Sequence, residues 1–126
     1  MKRFIISVII LIAIIAFSFS VPIYLKKTTT ELISKIDEIQ NYVDNDNLET
    51  AYTNINKFIT LWEDKKDIIT IFVNHSEMDS ITYFTSKLPS LLKYNDKSEF
   101  SAELNHVKTI ILSVYNDDIP NLKNII

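Results

Sequence analysis

The stretch FIISVIILIAIIAFSFSVPIYL, residues 4–25, carries no charged side chain and lies between Lys2-Arg3 and Lys26-Lys27. At about 1.5 Å of helix rise per residue these residues reach about 33 Å, and the hydrocarbon core of a bilayer is about 30 Å thick. We therefore expect residues 4–25 to contact the cytoplasmic membrane. This divides the chain into a signal anchor or transmembrane helix at 1–27 and an extracytoplasmic helical domain at 28–126.

A cleavable signal peptide has a similar pattern, because it also combines positive charge with about 7–15 apolar residues and small residues at the cut. Ser18 and Ser20 are such small residues, so the alternative is secretion after cleavage near Ser20. The apolar character continues through residues 21–25, and Tyr24 fits the aromatic belt of a membrane interface. These features favour an uncleaved, single-pass anchor.

Charge indicates the orientation and the class of partner. The amino terminus with Lys2 and Arg3 slightly outweighs the Lys26-Lys27 pair, which predicts the amino terminus inside and the domain outside. All sixteen acidic residues follow Lys27, against nine lysines, so residues 28–126 carry a formal charge of −7. An acidic domain without arginine argues against nucleic-acid binding and against lying flat on anionic lipid.

Cysteine and glycine are both absent from the sequence. Without cysteine there are no disulfides, no acylated or prenylated thiol and no thiol chemistry. Without glycine there is no Gly-rich phosphate loop and no nucleophile elbow. We therefore predict that the protein is not an enzyme and needs no cofactor.

Capping patterns predict helix starts, because a capping residue followed three positions later by glutamate satisfies the first backbone N–H groups of a helix. Four such pairs occur: Thr28 with Glu31, Asp46 with Glu49, Asn74 with Glu77, and Asp96 with Glu99.

Apolar residues recur every three or four positions in four segments, as on one face of a helix. The segments are 32–43, 48–73, 76–94 and 100–114. Charged residues at 63–67 interrupt the second segment, which leaves open whether it is one helix or two. Pro89 is expected to kink the third, and residues 117–120 to end the fourth. The predicted fold is all-α: a transmembrane signal-anchor helix followed by an antiparallel bundle of about four amphipathic helices, or a stack of helical hairpins.

The sequence contains Trp62, the run IFVNHSEMD at 71–79 and a closing Asn124-Ile125. Because of these residues, the chain resembles the bacterial family called domain of unknown function 4363. The resemblance covers nearly the whole chain, including the apolar N-terminal segment. It implies a small helical protein, membrane-associated or exported, with no assigned activity.

The sharpest candidates for chemistry are histidines beside carboxylates, because such groups bind metals and move protons. His75 and Asp79 share one helix face, whereas Glu77 points about 200° away, so helix capping is the favoured interpretation. Glu103 and His106 form one Glu-x-x-His unit, and a di-metal bundle needs two. A mononuclear site shared by these two helices is the remaining metal hypothesis.

Trp62 is either a core anchor or an exposed interaction residue, and its apolar stripe favours the core. The leading functional hypothesis is a non-enzymatic accessory or interaction module that docks another membrane or envelope protein at the outer face of the cytoplasmic membrane. The alternative is an exported ligand- or metal-binding domain that uses His75 and Asp79.

Overall fold

The computed structural model describes residues 1–73 and 75–114, with the backbone alone at Phe72. It has four helices: α1 at Lys2–Asp44, α2 at Leu48–Phe72, α3 at His75–Lys93 and α4 at Lys97–Ser113. No strand occurs within the described ranges, so the all-α prediction is confirmed. The predicted cap Asn74, the predicted stop at 117–120 and the Asn124-Ile125 pair lie outside the described residues.

The first helix continues without a break from the apolar run into the bundle. The helix start predicted at Thr28 is wrong, because Thr28 lies inside α1 with 4% of its surface exposed. No glycine, proline or turn cluster separates Ile23 from Asp44, so nothing ends the helix there. Its forty-three residues give α1 a length of about 64 Å.

The helices form a four-membered antiparallel bundle in which α1 packs against α2 and α4, and α3 packs against the same two. We call the end where α2 passes into α3, beside the apolar run of α1, the proximal end. The distal end carries the α1–α2 and α3–α4 turns. At the distal end Lys97 donates to Asp46 at 2.7 Å, which joins the two turns.

The core consists mostly of residues from the apolar segments that the sequence predicted, together with Leu25. Its fully buried apolar members from α1 and α2 include Leu25, Leu32, Ile36, Ile39, Val43, Ala51, Ile55, Phe58, Trp62 and Ile69. Those from α3 and α4 include Met78, Ile81, Leu88, Leu92, Phe100, Leu104, Val107 and Ile111. Because Leu25 is buried and Val21 packs against the core, the packed part of the chain reaches beyond the Lys27–Thr28 boundary suggested by composition.

The charged segment at 63–67 does not divide α2, which is one helix of twenty-five residues. The core stripe passes from Trp62 to Ile69, and half-buried lysines occupy the turn between them. Lys65 places its Nζ 6.0 Å from the ring centroid of Tyr24, and Lys66 pairs with Glu63 at 2.6 Å. Lysine stems therefore cover the core where the apolar pattern lapses.

Both distal turns use the same helix stop. Asp46 and Asn95 have φ of 62° and 59°, the left-handed conformation that glycine usually supplies at this position. In the first turn Asn47 N–H donates to the carbonyl of Tyr42 at 2.8 Å, and in the second Asp96 N–H donates to Leu91 at 2.8 Å. These are the long hydrogen bonds of a Schellman motif.

The predicted caps beside these turns differ in outcome. The N-cap of α2 is Asn47, which makes no side-chain cap bond, so the cap predicted at Asp46 is wrong by one position. The cap predicted at Asp96 is confirmed, because its carboxylate accepts from Glu99 N–H at 3.2 Å. The third helix runs through Pro89 to Lys93 without interruption.

Candidate functional site

Trp62 lies in the proximal part of the core. Only 1% of its surface is exposed, and its indole N–H donates to Thr82 Oγ1 at 2.9 Å. The indole lines a cavity of about 10 Å³, roughly the space of one water molecule, together with Leu25 and Ile69. In this conformation Trp62 offers no surface to a partner, which is the core arrangement that its stripe favoured.

His75 and Asp79 stand on the first turns of α3, and both side chains are exposed. Asp79 lies close enough to α2 for its charge to act on Lys66. The hydrogen bond to Glu63 is the main cause that raises the pKa of Lys66, desolvation opposes the shift, and the charges of Glu63, Asp67 and Asp79 add to it. Asp79 therefore takes part in the charge balance between α2 and α3.

Glu103 and His106 lie on α4 and contact α3 by different means. A Glu103 carboxylate oxygen is 3.6 Å from Lys87 Nζ, and the same Nζ lies 5.2 Å from the ring centroid of Tyr83 and 5.1 Å from that of Phe84. The His106 ring packs on Phe84 with centroids 4.2 Å apart. These contacts join α3 to α4 through a cation–π and ring-stacking cluster.

The four metal candidates do not assemble into one site. Within residues 1–73 and 75–114, no three His, Asp or Glu side chains lie together in a way that could hold a metal ion. The structure does bring Glu77 and His106 to one shallow cleft between α3 and α4, a pairing that the sequence analysis did not predict. Each residue is unremarkable alone, and only the rotation of the two helices places them together.

A group of exposed aliphatic residues at the proximal end was not predicted from the sequence. Ile68, Ile71 and Leu112 are 45%, 74% and 40% exposed. Exposure of Ile68 and Ile71 could have been predicted, because residues 68–73 hold five apolar residues in six positions and one helix face cannot bury them all.

The remaining candidate feature is the apolar run of α1. By length and composition, α1 is the one helix of the described chain that could cross a membrane, and a signal sequence near the N-terminus would have the same properties. Its most apolar window is not buried by the other described residues. The long apolar helix is thus compatible with either a signal anchor or a membrane span.

Comparison with known proteins identifies a family whose function is unknown. No curated protein and no solved structure matches the chain. A family model described as "Domain of unknown function (DUF4363)" matches residues 19–125. That match begins just before Val21, the first α1 residue that packs against the core. Since it covers most of the sequence, the chain belongs to the family described as domain of unknown function 4363.

Proposed function

We propose that this protein is a non-enzymatic accessory module, in which the apolar run of α1 anchors an acidic helical bundle at the outer face of the cytoplasmic membrane. The bundle docks another membrane or envelope protein. Because residues 28–126 combine sixteen acidic residues with nine lysines, we expect the partner to present a basic face.

The observation that carries the proposal is the continuity of α1. One helix contains both the apolar run at 4–25 and the core positions Leu32, Ile36 and Ile39. An anchor joined to a domain by a flexible linker leaves its orientation free, whereas a continuous helix fixes it. The bundle would then be held at one height and one orientation relative to the anchor.

The candidate chemical groups favour interaction over catalysis. Glu103 and His106 are engaged in contacts that join α3 to α4, and His75 and Asp79 are exposed on the bundle surface. Convergent titratable groups mark many active sites. Glu103 and His106 instead contribute to the pairing of α3 with α4.

Tethering supplies the mechanism. Confining two proteins to one membrane raises their effective concentration, so a contact too weak to hold in solution can become stable. The anchor therefore strengthens binding to the partner, in addition to determining where the protein is located.

The test is mild-detergent co-purification from native membranes, combined with the intact mass of the recovered chain. Three C-terminally tagged versions are compared: the full chain, a version with residues 1–19 replaced by an unrelated single-pass anchor, and a version with a cleavable leader. We expect one stoichiometric partner with the first two versions and none with the third. An uncleaved mass is expected for the full chain.

Two results would overturn the proposal. Recovery of the full chain alone, trimmed near Ser20 and in the soluble fraction, would remove the anchor. Equal partner recovery by the cleavable-leader version would remove tethering as the mechanism. The salt dependence of recovery tests the basic face, because a charge-steered contact weakens as ionic strength rises.

A further inference from the structure

The exposed aliphatic side chains of the bundle lie towards one end. Beyond Lys27, the described residues leave only Ile68, Ile71 and Leu112 exposed among the large aliphatic ones. The other large apolar side chains that are exposed there are the tyrosines Tyr52, Tyr83 and Tyr94. A tyrosine has a hydroxyl group that bonds water, whereas an exposed isoleucine or leucine has nothing to offset its contact with water.

The level of these three residues along the bundle can be fixed from the core. Leu25 and Ile69 line the same small cavity, and Lys65 stands over the Tyr24 ring, so this part of α2 lies beside residues 24–25 of α1. Ile68 is the sequence neighbour of Ile69 and lies at that level on the outside. Ile71 is two residues beyond Ile69 on α2, about 3 Å closer to the apolar run, and hence near the level of Ile23. Leu112 lies further from the apolar run, because α4 pairs its Ser101 and Lys108 with Gln40 and Asp37 of the antiparallel α1.

The apolar run places the bilayer boundary at the same level. Counting from Phe4, about 20 residues of helix cover a hydrocarbon core of about 30 Å, which brings the boundary close to Ile23. Ile23 itself is 68% exposed, as a residue that faces lipid would be. The proximal tip, which we define as Ile68 and Ile71, therefore lies at the depth where the hydrocarbon ends.

The charged and aromatic groups next to the tip have the arrangement of a membrane interface. Lys26 and Lys27 directly follow the apolar run, and Lys65 stands over the Tyr24 ring at 6.0 Å. Aromatic rings and lysine side chains with apolar stems are typical of the headgroup level. The apolar tip, the aromatic ring and the lysines are thus arranged in the order expected on passing from the hydrocarbon core to the headgroups.

We propose that the proximal tip is a second lipid contact, seated on the apolar boundary of the leaflet from which α1 emerges. This proposal rests on the anchoring by α1 proposed above. The contact is made by one end of the bundle and by apolar side chains, so it does not depend on anionic lipid. It holds the bundle upright, with the distal turns directed away from the membrane.

The absence of cysteine from the sequence allows a direct test with single environment-sensitive labels. The full-length chain is reconstituted in phosphatidylcholine vesicles as I12C, I71C or Y94C, each carrying the fluorophore NBD. Ile71 and Tyr94 are matched, with 74% and 76% exposure at opposite ends of the bundle. Position 12 lies in the apolar run and reports whether α1 is in the bilayer. Quenching by nitroxide-labelled lipid is measured for each label.

The expected result is strong quenching at positions 12 and 71, and several-fold weaker quenching at position 94. Quenching at 12 with none at 71 would overturn the tip contact and leave the anchor standing. No quenching at 12 would remove both proposals.

Two further outcomes identify other arrangements. A blue-shifted but unquenched label at 71 would indicate that protein rather than lipid covers the tip and would overturn the lipid contact. Equal quenching at 71 and 94 would indicate a bundle lying flat and would overturn the upright arrangement.

Discussion

Trp62 shows at the residue scale how a buried aromatic side chain stabilises the bundle. It fills the proximal core and satisfies its one polar atom through Thr82 at 2.9 Å. The cavity beside it is only about 10 Å³, so the neighbouring side chains already pack closely around the indole. They cannot easily move in to fill the space that a smaller residue would leave. Such sites show the larger costs of truncation.

We predict that W62A lowers the free energy of unfolding by about 3–5 kcal/mol, the range for large aromatic truncations in a core. The measurement is denaturant unfolding of the full chain in mild detergent, followed by circular dichroism. W62F is the control, because it keeps a ring in the site and loses mainly the hydrogen bond, so its loss should be clearly smaller. An unchanged unfolding midpoint for W62A would contradict the core role and revive the interaction role.

Asp46 gives the bundle a small dependence on pH at its distal end. The hydrogen bond and the charge of Lys97 lower the pKa of Asp46 from its usual 3.8. A lowered folded-state pKa stabilises the fold above the unfolded-state value, and that stabilisation is lost as pH falls through the folded-state value.

We predict that D46N melts below the unaltered protein at neutral pH. This difference should begin to shrink as pH falls below about 4 and should disappear once the pH is below the lowered pKa of Asp46, where the carboxylate of the folded, unaltered protein is protonated. The pair is exposed, so the difference should be small and should shrink in high salt. K97Q should give the same pattern, and the double variant should add nothing. A melting difference that persists at acid pH would mean that the amide disturbs the turn itself.

Helix ends show at the element scale which local patterns can be predicted. The Asp96 cap was predictable because its bond to Glu99 N–H joins two residues three positions apart. Thr28 and Glu31 have the same three-residue spacing, yet α1 continues through them, because no glycine, proline or turn cluster between Ile23 and Asp44 ends the helix. A capping pattern indicates a helix start only where something ends the preceding segment.

The left-handed residue at each distal turn could not be predicted with certainty, since the usual glycine signal is absent from this sequence. Asp46 and Asn95 replace glycine, as aspartate and asparagine can, because their short polar side chains tolerate positive φ. Each lies among neighbouring Asp and Asn residues, and the sequence does not indicate which of these residues adopts a positive φ.

We predict that N95A destabilises the bundle by about 1 kcal/mol, because an alanine Cβ clashes with the backbone at positive φ. N95G is expected to be at least as stable as the unaltered protein, since glycine adopts this conformation freely. Thermal unfolding of both variants measures the difference. If alanine and glycine behaved alike, the left-handed conformation at Asn95 would not limit stability.

At the scale of the whole molecule, the fold follows from the sequence more readily than the site does. Apolar spacing alone locates most core positions of the four helices, although it misses Leu25. The placement of Glu77 beside His106, or of Ile71 beside the end of the apolar run, depends on how far each helix is rotated and how long it extends. Short loops fix which helices are neighbours, but not their rotation.

The point at which the folded unit begins is another property of the whole molecule. Composition places it after Lys27, whereas Leu25 is 2% exposed and Val21 and Tyr24 pack against the core. The family match also begins earlier, at residue 19. Cleavage after Ser20 would therefore leave the complete packed bundle, while a cut at Lys27 would remove part of its proximal core.

We predict that a chain of residues 21–126 unfolds at a higher denaturant concentration than one of residues 28–126. The free energy of unfolding should differ by about 3 kcal/mol or more, because burial of a leucine contributes about 2–5 kcal/mol. Urea unfolding of the two chains measures this difference. L25A in the longer chain is the matched control, and it should reproduce most of the loss without shortening α1. Equal unfolding midpoints for the two chains would instead place the start of the bundle at the lysine pair, and the last turn of the apolar run would then lie outside the bundle.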